Sequence, residues 1–141
     1  MSAIRIFIVA PVISAMLALF SLNANAADQT EAAAAAEASL VVYRAGESVR
    51  TQRLRIAVRV DGEQLGRLQS EDAIATKHPA GTYLISTGIQ GAETLEIDLK
   101  PGMVHYVRID PRERTQHLSV AVAEVEAQVA HVERPELDSA I

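Results

Sequence analysis

The stretch Arg53-Leu54-Arg55-Ile56-Ala57-Val58-Arg59-Val60-Asp61-Gly62-Glu63-Gln64-Leu65-Gly66-Arg67-Leu68 decides the fold. Leu54, Ile56, Val58 and Val60 alternate with Arg53, Arg55, Ala57 and Arg59. A period of two puts the aliphatic side chains on one face of a strand and the arginines on the other. Asp61-Gly62 then supplies the strongest short hairpin signal, because a two-residue turn of this kind needs positive φ at both positions. The chain is expected to return over residues 64–68 as the antiparallel partner.

The same texture repeats on either side of the hairpin. Leu40-Val41-Val42-Tyr43 is a compact apolar strand, and residues 44–48 form a loop. A short piece near Ala73 to Lys77 pairs next. Pro79-Ala80-Gly81 is a turn into a strand over 82–86. Leu95, Ile97 and Leu99 alternate with Glu96 and Asp98, which gives a strand with an acidic outer face. Pro101-Gly102 turns the chain into a strand over 104–110, with His105, Val107 and Ile109 on one face. Residues 111–115 read as a charged loop, and Leu118, Val120 and Val122 begin a last strand that runs to about Glu124. A short helix follows, and Pro135 stops it. About seven short strands with turns every 8–12 residues read as an all-β chain, a small antiparallel sandwich. No strand–helix–strand alternation occurs, so a parallel sheet is not expected.

Composition sets the surroundings. The chain has 141 residues, a net charge of -5, no cysteine, no tryptophan and 4% aromatic residues. Without cysteine there is no disulfide scaffold, thiolate zinc site, iron–sulfur cluster or thiol nucleophile. The acidic balance and scarce aromatics argue against nucleic acid. Residues 1–26 read as a signal peptide: Arg5 is the only charge there, an apolar stretch follows from Ile6 to Phe20, and Ala24-Asn25-Ala26 has the A-x-A form of a cleavage site. Cleavage after Ala26 leaves a periplasmic or secreted product with no later segment that approaches a membrane span. Residues 27–38 form an Ala-rich linker or helix, marginal in isolation because it lacks large apolar side chains to dock it. The sandwich is assigned to 39–133, and 134–141 is expected to be a loose tail.

Three motifs occur in a familiar order. Val60-Asp61-Gly62-Glu63-Gln64-Leu65-Gly66-Arg67-Leu68 resembles the V-D-G-x-x-(V/L)-G-x-L hairpin of small bacterial envelope domains. Pro79-Ala80-Gly81-Thr82-Tyr83-Leu84 is similar to their P-x-G turn, and Pro101-Gly102-Met103-Val104-His105-Tyr106-Val107-Arg108 to their G-x-x-Y-Y-V-R strand. With Val41-Val42-Tyr43-Arg44 ahead of them, the chain resembles the domain of unknown function 2846 family, and the PEGA β-sandwich domain shares the hairpin logic. The resemblance covers about Ser39 to Glu133. It implies an exported β-sandwich, often lipid-anchored, with no established catalysis. The chain departs from the family in lacking the lipid-accepting cysteine, in carrying Ile74-Ala75-Thr76 where an aromatic is usual, and in having His105 where the family often has tyrosine.

Residues suited to chemistry are scattered. His78, His105, His117 and His131 show no H-x-H or H-x-x-x-H spacing, so no metal or other cofactor is implied. No serine stands in a nucleophile motif. Glu96 and Asp98 share a strand face and read as a solvated surface rather than an acid–base pair. Arg53, Arg55 and Arg59 are the most localised charge. They are expected to pair across the sheet with acidic residues such as Glu96 or Asp98, and otherwise to meet an anionic partner. With His105 they are the candidate partner-binding residues. The favoured function is an exported, non-catalytic module of the bacterial envelope that binds an envelope protein or component through a sheet edge or loop, with Leu40–Tyr43 and the strand near Ala73 as candidate edges. The alternative is a periplasmic small-ligand or metal-binding protein using His105 and its neighbours. An enzyme ranks third, because no catalytic constellation exists by spacing.

Overall fold

The structure, a computed structural model, describes residues 36–46, 48–115 and 117–139. The expected signal peptide and most of the Ala-rich segment lie outside the described residues. Eight strands follow in order: β1 Glu37–Arg44, β2 Ile56–Val60, β3 Glu63–Leu68, β4 Ala73–Pro79, β5 Gly81–Thr87, β6 Leu95–Leu99, β7 Val104–Arg114 and β8 His117–Val125. A helix, α1 (Ala127–Glu133), and a 3-10 turn (Pro135–Ser139) complete the described residues. The strands make two four-stranded sheets, in the orders β4-β1-β7-β8 and β3-β2-β5-β6. Among the described residues no helix is long and apolar enough to cross a membrane.

The inner faces of the two sheets form one core. Ile56, Val58 and Val60 of β2 are buried, as their alternation requires, against Leu40, Val42, Val107 and Ile109 of the facing sheet. The hairpin closes as its sequence dictates: Asp61 and Gly62 take φ of 49° and 84°, and Val60 stands in register with Glu63. Asp61 is also tied to β5, since its Oδ1 accepts the Leu84 N–H at 2.8 Å.

Several expectations are corrected by the fold. One strand pair, β1 with β7, is parallel, with Ser39 opposite Val104 and Tyr43 opposite Arg108. The usual crossover helix is replaced by the strands of the opposite sheet, which the chain visits between β1 and β7. Leu40–Tyr43 is not an edge. It is flanked by β4 and β7 and buried on both faces, Leu40 and Val42 inward, Val41 and Tyr43 outward. β4, the strand near Ala73, is an edge as expected.

Residues 111–114, read as loop, continue β7 in register with β8. Pro111 is tolerated because Ile109 directs its carbonyl to Ala45 on the β1 side, at 3.0 Å, and a period of two turns the Pro111 nitrogen to that same side, past the end of β1. No donor to β8 is lost. The segment after the helix is not loose through residue 139. Leu137 is 1% exposed and packs with Ala130 over Val41, Tyr43 and Tyr106. At seven residues, α1 is too short to persist alone, so this packing holds it. The outer face of the first sheet is therefore covered.

Candidate docking face

Among the described residues, no segment covers the outer face of the second sheet in this way. Register places the side chains that face outward. Arg59 stands opposite Gln64 on β3 and Ser86 on β5, and Ala57 opposite Arg67. Thr82 faces Asp98, and Leu84 faces Glu96. Arg59, Arg67, Leu84, Glu96 and Asp98 are all exposed. Most charge on this face is split: arginines lie on β2 and β3, carboxylates on β6, and β5 separates them with Thr82, Leu84 and Ser86, while the Asp61 carboxylate at the end of β2 is held by the Leu84 N–H.

This arrangement corrects the expected cross-strand pairing. Strand spacing and rise put Arg59 and Glu96 about 12 Å apart, two strands and two residues removed. Among the described residues no ion pair joins Arg53, Arg55, Arg59 or Arg67 to a carboxylate. Nor do the three predicted arginines share one strand. β2 begins at Ile56, which leaves Arg53 in the preceding turn and Arg55 just ahead of the strand. The structure brings Arg59 together with Arg67 instead.

Sequence reasoning missed Arg67 because of a β-bulge. The register of β2 on β3 shifts between Val58 and Arg59. Without the shift Arg67 would face Ile56 and the core. The extra residue turns it outward and lets both Leu65 and Leu68 pack inward. That spacing was the available signal: two apolar residues three apart in a strand share a face only if a residue is inserted.

His105 does not belong to this face. It lies on the inner side of β7 with Val107 and Ile109, as expected, and is 7% exposed. Its Nε2 accepts the Lys100 N–H at 3.0 Å, so its Nδ1 carries the ring proton and donates to Glu124 Oε1 at 2.8 Å. Both nitrogens are thus engaged within the chain, on the inner side of β7 and away from the outer face of the second sheet. The other histidines sit apart. His78 contacts the Tyr83 ring at 5.4 Å, His117 is exposed, and His131 Nε2 lies 3.0 Å from both the Tyr106 hydroxyl and Asp138 Oδ1. Among the described residues, no three His, Cys, Asp or Glu side chains could hold one metal ion.

No protein-family model and no curated protein matches the chain. Among solved structures, the N-terminal domain of AlgF from P. aeruginosa matches with a TM-score of 0.39 and 19% identity, over 62% of this chain and 93% of that one. At that TM-score the match carries no argument.

Proposed function

We propose that this chain is an exported, non-catalytic β-sandwich module of the bacterial envelope that docks a protein partner on the outer face of the second sheet. The observation that carries the reading is the asymmetry of the two outer faces. One is apolar and capped by the chain's own C-terminal segment; the other, among the described residues, has no covering segment, and its arginines and β6 carboxylates lie on different strands without an ion pair between them. Charges sorted in this way select a partner by orientation more than by bulk affinity. The matching surface presents carboxylates to Arg59 and Arg67 and a basic group to Glu96 and Asp98, with about 12 Å between the nearest members of the two sets and about 25 Å between the farthest. Export is supported by the reading of residues 1–26, the lack of chemistry by the absence of catalytic spacings, and the envelope setting by the motif resemblance to the domain of unknown function 2846 family.

A photo-crosslinker at Leu84, the exposed apolar residue at the centre of the face, tests this in the native compartment. One protein should be captured, and capture should fall steeply with salt and vanish in the Arg59→Glu, Arg67→Glu double variant. Capture that survives the double variant overturns the docking face. Capture of a second copy of the chain replaces the partner reading with self-association.

A further inference from the structure

At one end of the sandwich, a cleft of about 320 Å³ opens between the turn that precedes β2 and the β7–β8 hairpin. That volume is at the lower end of small-ligand pockets. Leu54 and Leu118, both packed against the core, give it an apolar wall. Arg50, Arg114 and His117 stand around it with Glu113. Two guanidinium groups against one carboxylate make it cationic on a chain of net charge -5. Arg50 Nη1 holds Glu113 Oε1 at 2.9 Å, with side chains 80% and 40% exposed. An ion pair so exposed contributes little, so an incoming carboxylate can exchange with Glu113 at small cost. The Glu113 carboxylate meanwhile shows how this guanidinium receives one.

The wall is fixed from inside. Arg44, at the end of β1, is fully buried. Its Nη1 donates to the Leu54 carbonyl at 2.6 Å and its Nη2 to the Thr51 carbonyl at 2.9 Å. Thr51 is itself buried and bonded to Ser48 through its N–H and its hydroxyl. The turn that presents Arg50 and Leu54 is therefore ordered before any ligand arrives, which lowers the entropic cost of binding.

We infer that this cleft binds a small organic anion, a carboxylate head on a short aliphatic tail. The head meets Arg50, Arg114 and His117, and the tail lies on Leu54 and Leu118. None of these residues lies on the outer face of the second sheet, so the inference stands or falls independently of the docking face.

Hexanoate titrated into the purified protein and followed by NMR provides the test, with acetate and hexylammonium as companions. Hexanoate should shift the His117 ring and the Leu54 and Leu118 methyl signals along a saturable curve. Hexylammonium should leave them in place, and acetate, lacking the tail, should bind about fivefold more weakly or worse. Arg114→Gln should weaken hexanoate by about fivefold, the worth of one exposed charge contact. Glu113→Gln, which removes the internal competitor, should tighten it. Equal binding by hexylammonium or acetate, no saturable shift, or an unchanged affinity in Arg114→Gln each overturns the inference.

Discussion

The Glu133 carboxylate accepts the Tyr43 hydroxyl at 2.6 Å through Oε2 and Arg108 Nη1 at 2.7 Å through Oε1. Residue 133 is thereby fastened to β1 and β7, the two central strands of the first sheet. Burial pushes the Tyr43 phenol well above its ordinary range, and the bond to Glu133 and its charge push it further, so the hydroxyl stays a donor. Burial also works to raise the Glu133 carboxyl, but the hydrogen bonds from Tyr43 and Arg108, with the charge of Arg108, outweigh it and hold the carboxyl below the usual range. A carboxyl whose folded value is depressed adds stability above its unfolded value and loses it as pH falls through the folded one. The side chains of Arg108 and Glu133 are 29% and 28% exposed, so solvent screens part of the gain. Glu133→Gln should therefore cost about 1–2 kcal/mol at neutral pH. Urea unfolding followed by tyrosine fluorescence at neutral and acid pH is the check. The gap between wild type and variant should close as the solution is taken below the carboxylate range. A gap that stays constant with pH would show that the charge on Glu133 contributes nothing.

Among the elements, the C-terminal segment departs most from what its sequence suggests. Pro135 ends α1 as expected, yet the chain does not leave the surface there. It turns in 3-10 form and brings Leu137 back under the helix. Arg134 anchors the turn by donating to the Arg44 and Glu71 carbonyls and to Glu136. Nothing local marks this. Leu137 is a lone apolar residue in a charged stretch, and it becomes a core residue only because the first sheet presents Val41, Tyr43 and Tyr106 on its outer face. The run Leu40-Val41-Val42-Tyr43 held half of that information, since a strand apolar at every position is buried on both faces. Leu137→Ala decides between a packed segment and a loose tail. A packed Leu137 should cost about 2–4 kcal/mol when truncated, read as a lowered denaturation midpoint at unchanged slope. A loose tail would give a change within about 0.5 kcal/mol.

At the scale of the molecule, what was legible divides by range. Alternation and turn chemistry are local, and they marked the β2–β3 hairpin, the acidic face of β6 and the inward side of β7 from a few residues each. Sheet partnership is not local. Arg59 and Glu96 each read correctly as outward residues, but only the insertion of β5 between their strands shows that they cannot meet. The bulge that exposes Arg67 likewise depends on what β3 packs against. The parallel pairing of β1 with β7 joins Ser39 to Val104, the kind of long-range contact that no window of sequence reports. That topology also orders folding. β2–β3, β5–β6 and β7–β8 are antiparallel neighbours joined by short connections, so each closes at small entropic cost. β1 must be held between β4 and β7, both distant in sequence, and the closure entropy of those loops falls due before any contact repays it. β1 is therefore expected to dock after the folding transition state. Val42→Ala on β1 and Val120→Ala on β8 both remove fully or nearly fully buried methyl groups from the same core, each at about 2 kcal/mol. In stopped-flow experiments with the native tyrosines as reporters, Val42→Ala should speed unfolding and leave the folding rate nearly unchanged, a φ-value of about 0–0.3. Val120→Ala should slow folding, with a φ-value above about 0.5. The reverse pattern, with β1 slowing folding and β8 not, would place the long-range parallel pair in the nucleus and the hairpin outside it.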